Sequence, residues 1–215
     1  MQSIKAYINE NLPSIKFDPP FFYNNDIGIR FELGLSDRRI SDETYFKIVG
    51  ERALTLFESI FTNDCFLYVL AVSYESLEIL DAYIDGEVDV FSTFFSDSQK
   101  LEVENIMNEE VYDEDSNELI GYIRSNGISC SISEINYKSL LGVKGGFSDS
   151  KDIYINDRIY FIEPNKGIVF HMYDSRGLDI VSISKSAIFY LYKDYNDWIL
   201  DYDREIIDKI FEGIS

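Results

Sequence analysis

The chain has 215 residues, of which 46% are hydrophobic and 15% aromatic, so its composition argues against disorder and predicts a sizeable core. Its net charge of −20 argues against binding to a nucleic-acid backbone or an anionic membrane surface, because both need an excess of Lys and Arg. The longest apolar run, residues 65–72, is far shorter than the about 20 residues of a membrane-spanning helix.

The N-terminal part of the chain alternates between predicted helices and strands. Residues 3–12 predict a short helix, and the period-two pattern from Ile27 to Leu33 predicts a half-buried strand. Ser41 is expected to cap a long amphipathic helix, which ends before a buried strand over residues 65–74.

Residues 75–120 form an acidic insertion. They contain fifteen Asp and Glu but a single base, Lys100, and so carry −14 of the total charge of −20. Within this insertion we expect a short helix near residues 77–84 and a strand over residues 88–95. Residues 108–117 are expected to form an exposed loop, because so many adjacent like charges disfavour a packed element.

The C-terminal part predicts strands over residues 119–124 and 128–135, followed by a short helix over residues 137–143. Residues 157–183 predict a meander of three antiparallel strands, and residues 184–213 predict helices. The stripe expected to face the sheet consists of Trp198, Tyr202, Ile206 and Ile210. Together these patterns predict a single α+β domain over residues 1–215, with a mainly antiparallel sheet and flanking helices.

The motif search finds no established catalytic or metal-binding signature. Asp113, Asp115 and Asn117 begin like a calcium loop, but Glu118 stands where Gly is needed and Arg124 where a closing Glu is needed. His171 is the only histidine, and we interpret it as a structural or solvated residue on the less apolar face of its strand. We therefore expect neither a metal ion nor another cofactor.

One carboxylate pair has two interpretations. Asp174, Arg176 and Asp179 fit a catalytic pair of acids with an arginine clamp. They also fit a tight turn in which Gly177 supplies a positive φ and Asp174 accepts a hydrogen bond from its own backbone, and we favour this turn.

Several runs resemble a bacterial family known as domain of unknown function 3885. They are DRIYFIEPNKGIVFHMYDSRGLDI (157–180), YNDWILDYDREIIDKIF (195–211), FFYNNDIGIRFELG (21–34) and ERALTLFESIF (51–61). The residues that match the family signature are Tyr173, Asp174, Arg176, Gly177, Leu178, Asp179, Trp198, Ile199, Leu200, Asp201, Tyr202 and Arg204. Residues 75–120 match the family pattern least clearly.

The resemblance implies little about chemistry, since this family has no assigned activity. Such proteins are similar in kind to the immunity proteins encoded beside secreted bacterial toxins, many of which neutralise basic nucleases with an acidic surface. We therefore expect a cytoplasmic, non-enzymatic immunity protein that binds a basic toxin domain of the nuclease type, and neither nucleic acid nor membrane. The expected binding residues are Asp81, Asp85, Glu87, Asp89, Glu109, Glu110, Asp113, Glu114 and Asp115.

Three alternatives remain open at this point. The protein is a nucleic-acid mimic that inhibits another nucleic-acid-binding protein, or an enzyme centred on Asp174, Arg176 and Asp179. In the third alternative the acidic stretch is only a solvated face.

Overall fold

A seven-stranded sheet forms the centre of the fold. The computed structural model describes residues 2–35, 43–62, 65–77, 86–113, 115–149 and 152–214. The strands are β1 (Gly28–Glu32), β2 (Phe66–Ser76), β3 (Glu104–Tyr112), β4 (Leu119–Ser131), β5 (Arg158–Glu163), β6 (Ile168–Asp174) and β7 (Gly177–Ser182). Their order in the sheet is β1-β7-β6-β5-β2-β4-β3, and all neighbouring strands are antiparallel.

Seven α-helices accompany the sheet in the described residues. They are α1 (Ile4–Asn11), α2 (Glu43–Ile60), α3 (Val90–Phe94), α4 (Asp97–Lys100), α5 (Tyr137–Gly145), α6 (Lys185–Asp194) and α7 (Arg204–Phe211). The predicted α+β class with a mainly antiparallel sheet is therefore confirmed. None of the helices in these residues has the length and apolarity of a membrane span.

The two faces of the sheet are covered unequally. On the first face, α2 and α5 to α7 bury the larger core, in which the Phe57 ring lies 5.0 Å from Phe161 and 5.3 Å from Phe170. On the second face, α1 and the segment of residues 12–27 bury a smaller core around Tyr160. No other described segment covers the rest of the second face, and both of the pockets described below lie there.

Several predicted elements agree with the structure. β1 lies within the predicted strand from Ile27 to Leu33, and β5, β6 and β7 form the meander predicted in residues 157–183. The residues of β2 also match the strand predicted over residues 65–74, although this strand continues to Ser76. The expected cap at Ser41, and nearly all of the helix expected over residues 77–84, lie outside the described residues.

The strand predicted over residues 88–95 is wrong, because the chain forms the short helix α3 there. The side chain of Asp89 accepts a hydrogen bond from the backbone N–H of Ser92 at 2.7 Å and so caps this helix. Val90, Phe91 and Phe94 are buried at helical spacing, which a strand would not allow.

The loop predicted over residues 108–117 is also wrong for its first half. Residues 104–112 form β3, an edge strand paired with β4, and the turn is confined to residues 113–118. An edge strand tolerates Glu109 and Glu110 because both side chains reach solvent while the backbone pairs with β4. The two strands predicted over residues 119–135 are one long strand, β4, followed by a 3₁₀ turn at residues 132–134.

The predicted C-terminal stripe is displaced by about one residue. Tyr202 is 86% exposed and Ile206 49% exposed, whereas Ile207 and Phe211 are buried. The cause is local, because residues 196–198 and 201–203 form two short 3₁₀ turns instead of one helix continuous with α7. These turns change the rotational phase of the chain before α7 begins.

The C-terminal helix offers a matched pair of variants for testing this phase. Ile207→Ala should reduce the free energy of unfolding by about 2–4 kcal/mol, since it leaves a cavity against the sheet. Ile206→Ala, one residue earlier and half-exposed, should cost less than about 1 kcal/mol. Urea unfolding of both variants measures the difference. Equal losses would contradict the observed orientation of α7.

Candidate functional site

The structure places the predicted binding residues at one end of the sheet. Asp81, Asp85 and Glu114 lie outside the described residues. The other predicted residues lie in the segment before α3, on β3 or in the turn that follows β3, and they are Glu87, Asp89, Glu109, Glu110, Asp113 and Asp115. All of these except Asp113 are exposed, and Asp113 is partly exposed.

A groove on the second face of the sheet, which we call the acidic groove, brings Glu87 and Glu109 together. It has a volume of about 1300 Å³. The fold adds Asp18, from the segment before β1, to its lining. Glu75 of β2 also borders the groove, but its carboxylate pairs with Arg124, whose Nη1 lies 3.0 Å from Oε1. Among the described residues, Arg158 is the only base that lines this groove.

The acidic groove also has apolar walls. Val72 and Tyr74 come from β2, Ile123 from the neighbouring β4, and Met107 from β3. Val72 and Tyr74 are two residues apart and therefore point to the same face of the sheet. Tyr74 is 45% exposed. The groove thus combines a carboxylate rim with a partly exposed aromatic side chain.

Two of the remaining predicted acids, Asp113 and Glu110, have local partners. Asp113 accepts hydrogen bonds from the backbone N–H groups of Ser116 at 2.7 Å and Asp115 at 3.1 Å, and these bonds lower the pKa of its carboxyl. Glu110 accepts a hydrogen bond from the hydroxyl of Tyr112. Asp113 therefore stabilises the turn after β3, and neither it nor Glu110 lines the groove.

Asp157 is sensitive to the electrostatic field near the acidic groove, because it lies in the chain between Asn156 and Arg158, which both line the groove. Burial raises the pKa of the Asp157 carboxyl, and the negative charges of Asp89, Glu87 and Glu75 raise it further, while Lys144 opposes the shift. The described carboxylates are therefore close enough to act on the same site, although they come from separate parts of the sequence.

The two carboxylates of the alternative catalytic site are each paired with an arginine. Asp174 accepts hydrogen bonds from the guanidinium of Arg176, and Asp179 is buried against Arg30, whose Nε lies 2.7 Å from Oδ1. A general acid or base must exchange a proton with substrate, and two carboxylates held by cations are poorly suited to that role.

The turn that joins β6 and β7 agrees with the favoured interpretation in one respect and differs in another. Asp174 accepts a hydrogen bond from the backbone N–H of Arg176 at 2.8 Å, as predicted. The positive φ predicted for Gly177 is wrong, because Gly177 belongs to β7 and is not among the residues with positive φ. Glycine is needed for a different reason, since a Cβ there would lie 2.1 Å from the hydroxyl oxygen of Tyr173.

The described residues contain no cluster of three or more His, Cys, Asp or Glu side chains arranged to hold a metal ion. Cys65 and Cys130 are both free thiols. Burial raises the pKa of the Cys130 thiol to about 12, so this thiol is protonated near neutral pH.

Comparison with known proteins places this arrangement in a family. The family described as Domain of unknown function (DUF3885) matches residues 4–203. The chain belongs to this family. It is also 23% identical over 220 residues to "Uncharacterized protein YnaE" of Bacillus subtilis (strain 168), a match that covers 92% of this chain and 97% of that protein. No solved structure matches the chain.

The residues that match the DUF3885 signature do not line the acidic groove. Four of them, Tyr173, Arg176, Asp179 and Leu200, line a second pocket at the other end of the sheet. Sequence analysis does not predict that pocket, because its residues come from five separate segments of the chain.

The pKa of Asp157 generates a prediction for stability. Its folded-state pKa is raised above the ordinary 3.8, so the folded state binds more protons than the unfolded state between these two values. The contribution of Asp157 to stability therefore falls as the pH rises from 3.8 through the folded pKa. Asp157→Asn removes this penalty and should be more stable than the wild type at pH 7.

Urea unfolding at pH 7 and at pH 3 measures this effect. The wild type and Asp157→Asn should differ more at pH 7 than at pH 3, where the carboxyl is largely protonated in both states. Asp197→Asn, at an exposed site on the C-terminal segment, is the control for the change in net charge. A loss of stability in Asp157→Asn at pH 7 would show that Lys144 outweighs burial and the neighbouring acids.

Proposed function

We propose that this chain is a non-enzymatic inhibitor of the immunity type, which binds a cognate basic toxin domain and blocks it. A nuclease is the toxin class that fits best, since a protein that binds nucleic acid carries a basic surface. The observation that carries the proposal is the convergence of Asp18, Glu87 and Glu109 on one groove, around the exposed ring of Tyr74.

The groove supports a binding role through both of its components. Its carboxylates attract a basic partner over a distance and raise the rate of encounter. Its apolar walls, with Tyr74, Met107 and Ile123, offer the desolvated contacts that slow dissociation. Aromatic residues and Met are enriched in protein interfaces, whereas a purely solvated acidic face needs neither.

The concave shape favours one kind of contact. A groove of about 1300 Å³ receives a loop or a helix of the partner, not a flat surface. The basic side chains of that element would lie against the carboxylate rim, and its apolar side chains against Tyr74 and Ile123.

The proposal is tested with two sets of variants that change the net charge equally. The groove set is Asp18→Asn, Glu87→Gln and Glu109→Gln, and the remote set is Asp194→Asn, Asp197→Asn and Glu212→Gln on the C-terminal segment. At low salt the groove set should slow association with the toxin domain of the adjacent gene by about tenfold, and the remote set by less than about twofold. Stopped-flow or surface binding measurements at low and high salt give both rates.

A third variant separates steering from contact. Tyr74→Ala leaves every charge in place, so it should speed dissociation while association stays within about twofold of the wild type. Growth of cells that produce the toxin provides the biological measurement. Equal association rates for the groove and remote sets, together with full protection of the cells, would leave the acidic stretch as a solvated face.

A further inference from the structure

The second pocket lies on the same face of the sheet as the acidic groove, at the end formed by β6, β7 and β1. Its volume of about 570 Å³ lies within the roughly 300–1,000 Å³ of small-molecule sites. Pro19 lines both cavities, so the segment before β1 separates them. We call this cavity the edge pocket.

Three side chains form a row across the floor of the edge pocket. His171 on β6 is the register partner of Asp179 on β7, and Asp179 is the partner of Arg30 on β1. The rings of Tyr173, Tyr45 and Phe21 line the pocket as well. Tyr173 fits there because Gly177, beneath its hydroxyl, has no side chain.

His171 presents an unused hydrogen-bond acceptor in this pocket. The side chain is buried at 6% exposure, and Nδ1 lies 2.8 Å from the carbonyl oxygen of Ile159. A carbonyl oxygen only accepts hydrogen bonds, so Nδ1 must carry the proton and donate it. Burial lowers the pKa of His171 to about 4, so the ring is neutral near pH 7 and Nε2 keeps its lone pair.

Nε2 of His171 has no partner within the described part of the chain. In that part of the chain, the fully enclosed polar atoms without a hydrogen-bond partner are Oε1 of Gln99 and Oδ2 of Asp203. Nε2 of His171 is not one of these enclosed atoms. The atom is therefore open to the solvent of the edge pocket, which His171 lines. A buried ring that holds one nitrogen on the backbone and presents the other to a cavity is suited to receive an N–H donor.

The charges around the pocket determine the sign of a ligand. Arg30 is engaged by the carboxylate of Asp179 and lies 3.5 Å from that of Asp203, and Arg176 is engaged by Asp174. Glu32 lines the pocket, and its carboxylate has no hydrogen-bond partner in the described residues.

Arg52 also lies close to Glu32 but does not neutralise its carboxylate by direct contact. Nη1 of Arg52 donates instead to the backbone oxygens of Glu32 at 2.8 Å and Gly34 at 3.1 Å. Among the described residues of the lining, the groups without a hydrogen-bond partner therefore include two acceptors, one neutral and one negative, beside the hydroxyl of Tyr173, which can donate or accept. Among the described residues of the lining, an anionic ligand would meet no cation without a carboxylate partner, and it would be repelled by Glu32.

We propose that the edge pocket binds a small organic cation with N–H donors, an ammonium or guanidinium group, which donates to Nε2 of His171 and pairs with the carboxylate of Glu32. The aromatic rings of Tyr173, Tyr45 and Phe21 favour such a cation further through their negative faces. The cation is either a free amine or the end of a Lys or Arg side chain of a bound protein. The site is distinct from the acidic groove and does not rest on the function proposed above.

The test uses the fact that His171 is the only histidine of the chain. In a ¹⁵N spectrum the imidazole signals therefore report on this ring alone. Titration of the full chain with n-butylguanidinium or n-butylammonium should shift the Nε2 signal saturably. The same concentration of n-butyrate, a small alkyl anion of opposite charge, should not.

Two isosteric variants locate the site. Glu32→Gln should weaken binding of n-butylguanidinium about tenfold, equivalent to about 1.4 kcal/mol, because it removes the paired charge. Glu109→Gln removes the same charge from the acidic groove and should leave this binding unchanged. Because the signal of His171 is observed in every sample, the same spectra show whether each variant is folded.

Each outcome of the titration decides the proposal. It is overturned if no cation shifts the Nε2 signal, if n-butyrate shifts it equally, or if Glu32→Gln binds as tightly as the wild type. Once the site is established, adding the toxin domain to the complex with n-butylguanidinium distinguishes the two sources of the cation. Displacement of n-butylguanidinium by the toxin domain indicates a side chain of the partner, and simultaneous binding indicates a free amine.

Discussion

The buried ion pair of Arg30 and Asp179 holds together one end of the sheet. The two side chains are 14% and 2% exposed, and the guanidinium donates to both carboxylate oxygens, at 2.7 and 3.1 Å. Asp179 also accepts a hydrogen bond from the backbone N–H of Phe22, and Arg30 lies 3.5 Å from Asp203. β1, β7, the N-terminal segment and the turn before α7 therefore all meet here.

Burial raises the pKa of the Asp179 carboxyl, and the guanidinium opposes that shift. Removing one member of such a pair typically costs about 3–5 kcal/mol, because it leaves a buried charge without its partner. The floor of the edge pocket therefore depends on this interaction as much as the edge of the sheet does.

The sequence correctly predicts those strands whose pattern of apolar and polar residues reflects one environment along the whole strand. β1 is fully buried on one face, and the strands β5 to β7 are buried on both faces over most of their length. Their patterns of apolar residues reflect this burial. The prediction fails where an element's environment comes from a neighbour distant in sequence. Glu109 and Glu110 resemble a loop until β4 is seen to pair with them at the sheet edge. Residues 90–94 resemble a strand because Val90, Phe91 and Phe94 are apolar, and the cap supplied by Asp89 makes them a helix. At the C-terminus the helical period is correct but its phase is not, because no residue type in the sequence marks the 3₁₀ turns before α7.

The two candidate sites also differ in how far the sequence predicts them. Charge counting along the chain is sufficient to locate the acidic end of the molecule, because fourteen of its twenty net negative charges fall in one stretch. It does not reveal that Asp18, from the other side of the sequence, completes the groove, since this contact depends on the path of the segment before β1. The row of His171, Asp179 and Arg30 is even less accessible to sequence reasoning. These residues become neighbours only through the register of three strands, two of which are separated by more than a hundred residues.

The sheet order has a consequence for how the protein is made. Among the strands that the structure describes, β1 is the first and its only neighbour in the sheet is β7, the last one, so that Gly28 pairs with Val181, 153 residues further along. A ribosome that adds about 5–20 residues per second needs roughly 8 to 30 s to deliver that partner. During this interval the guanidinium of Arg30 has no carboxylate to meet, whereas β2, β4 and β5 are already available to pair with one another. Contacts between such distant parts of a chain also carry a large entropic cost of loop closure and slow the folding reaction. The central strands can therefore pair before β1 does, and β1 joins the sheet only after β7 has been synthesised.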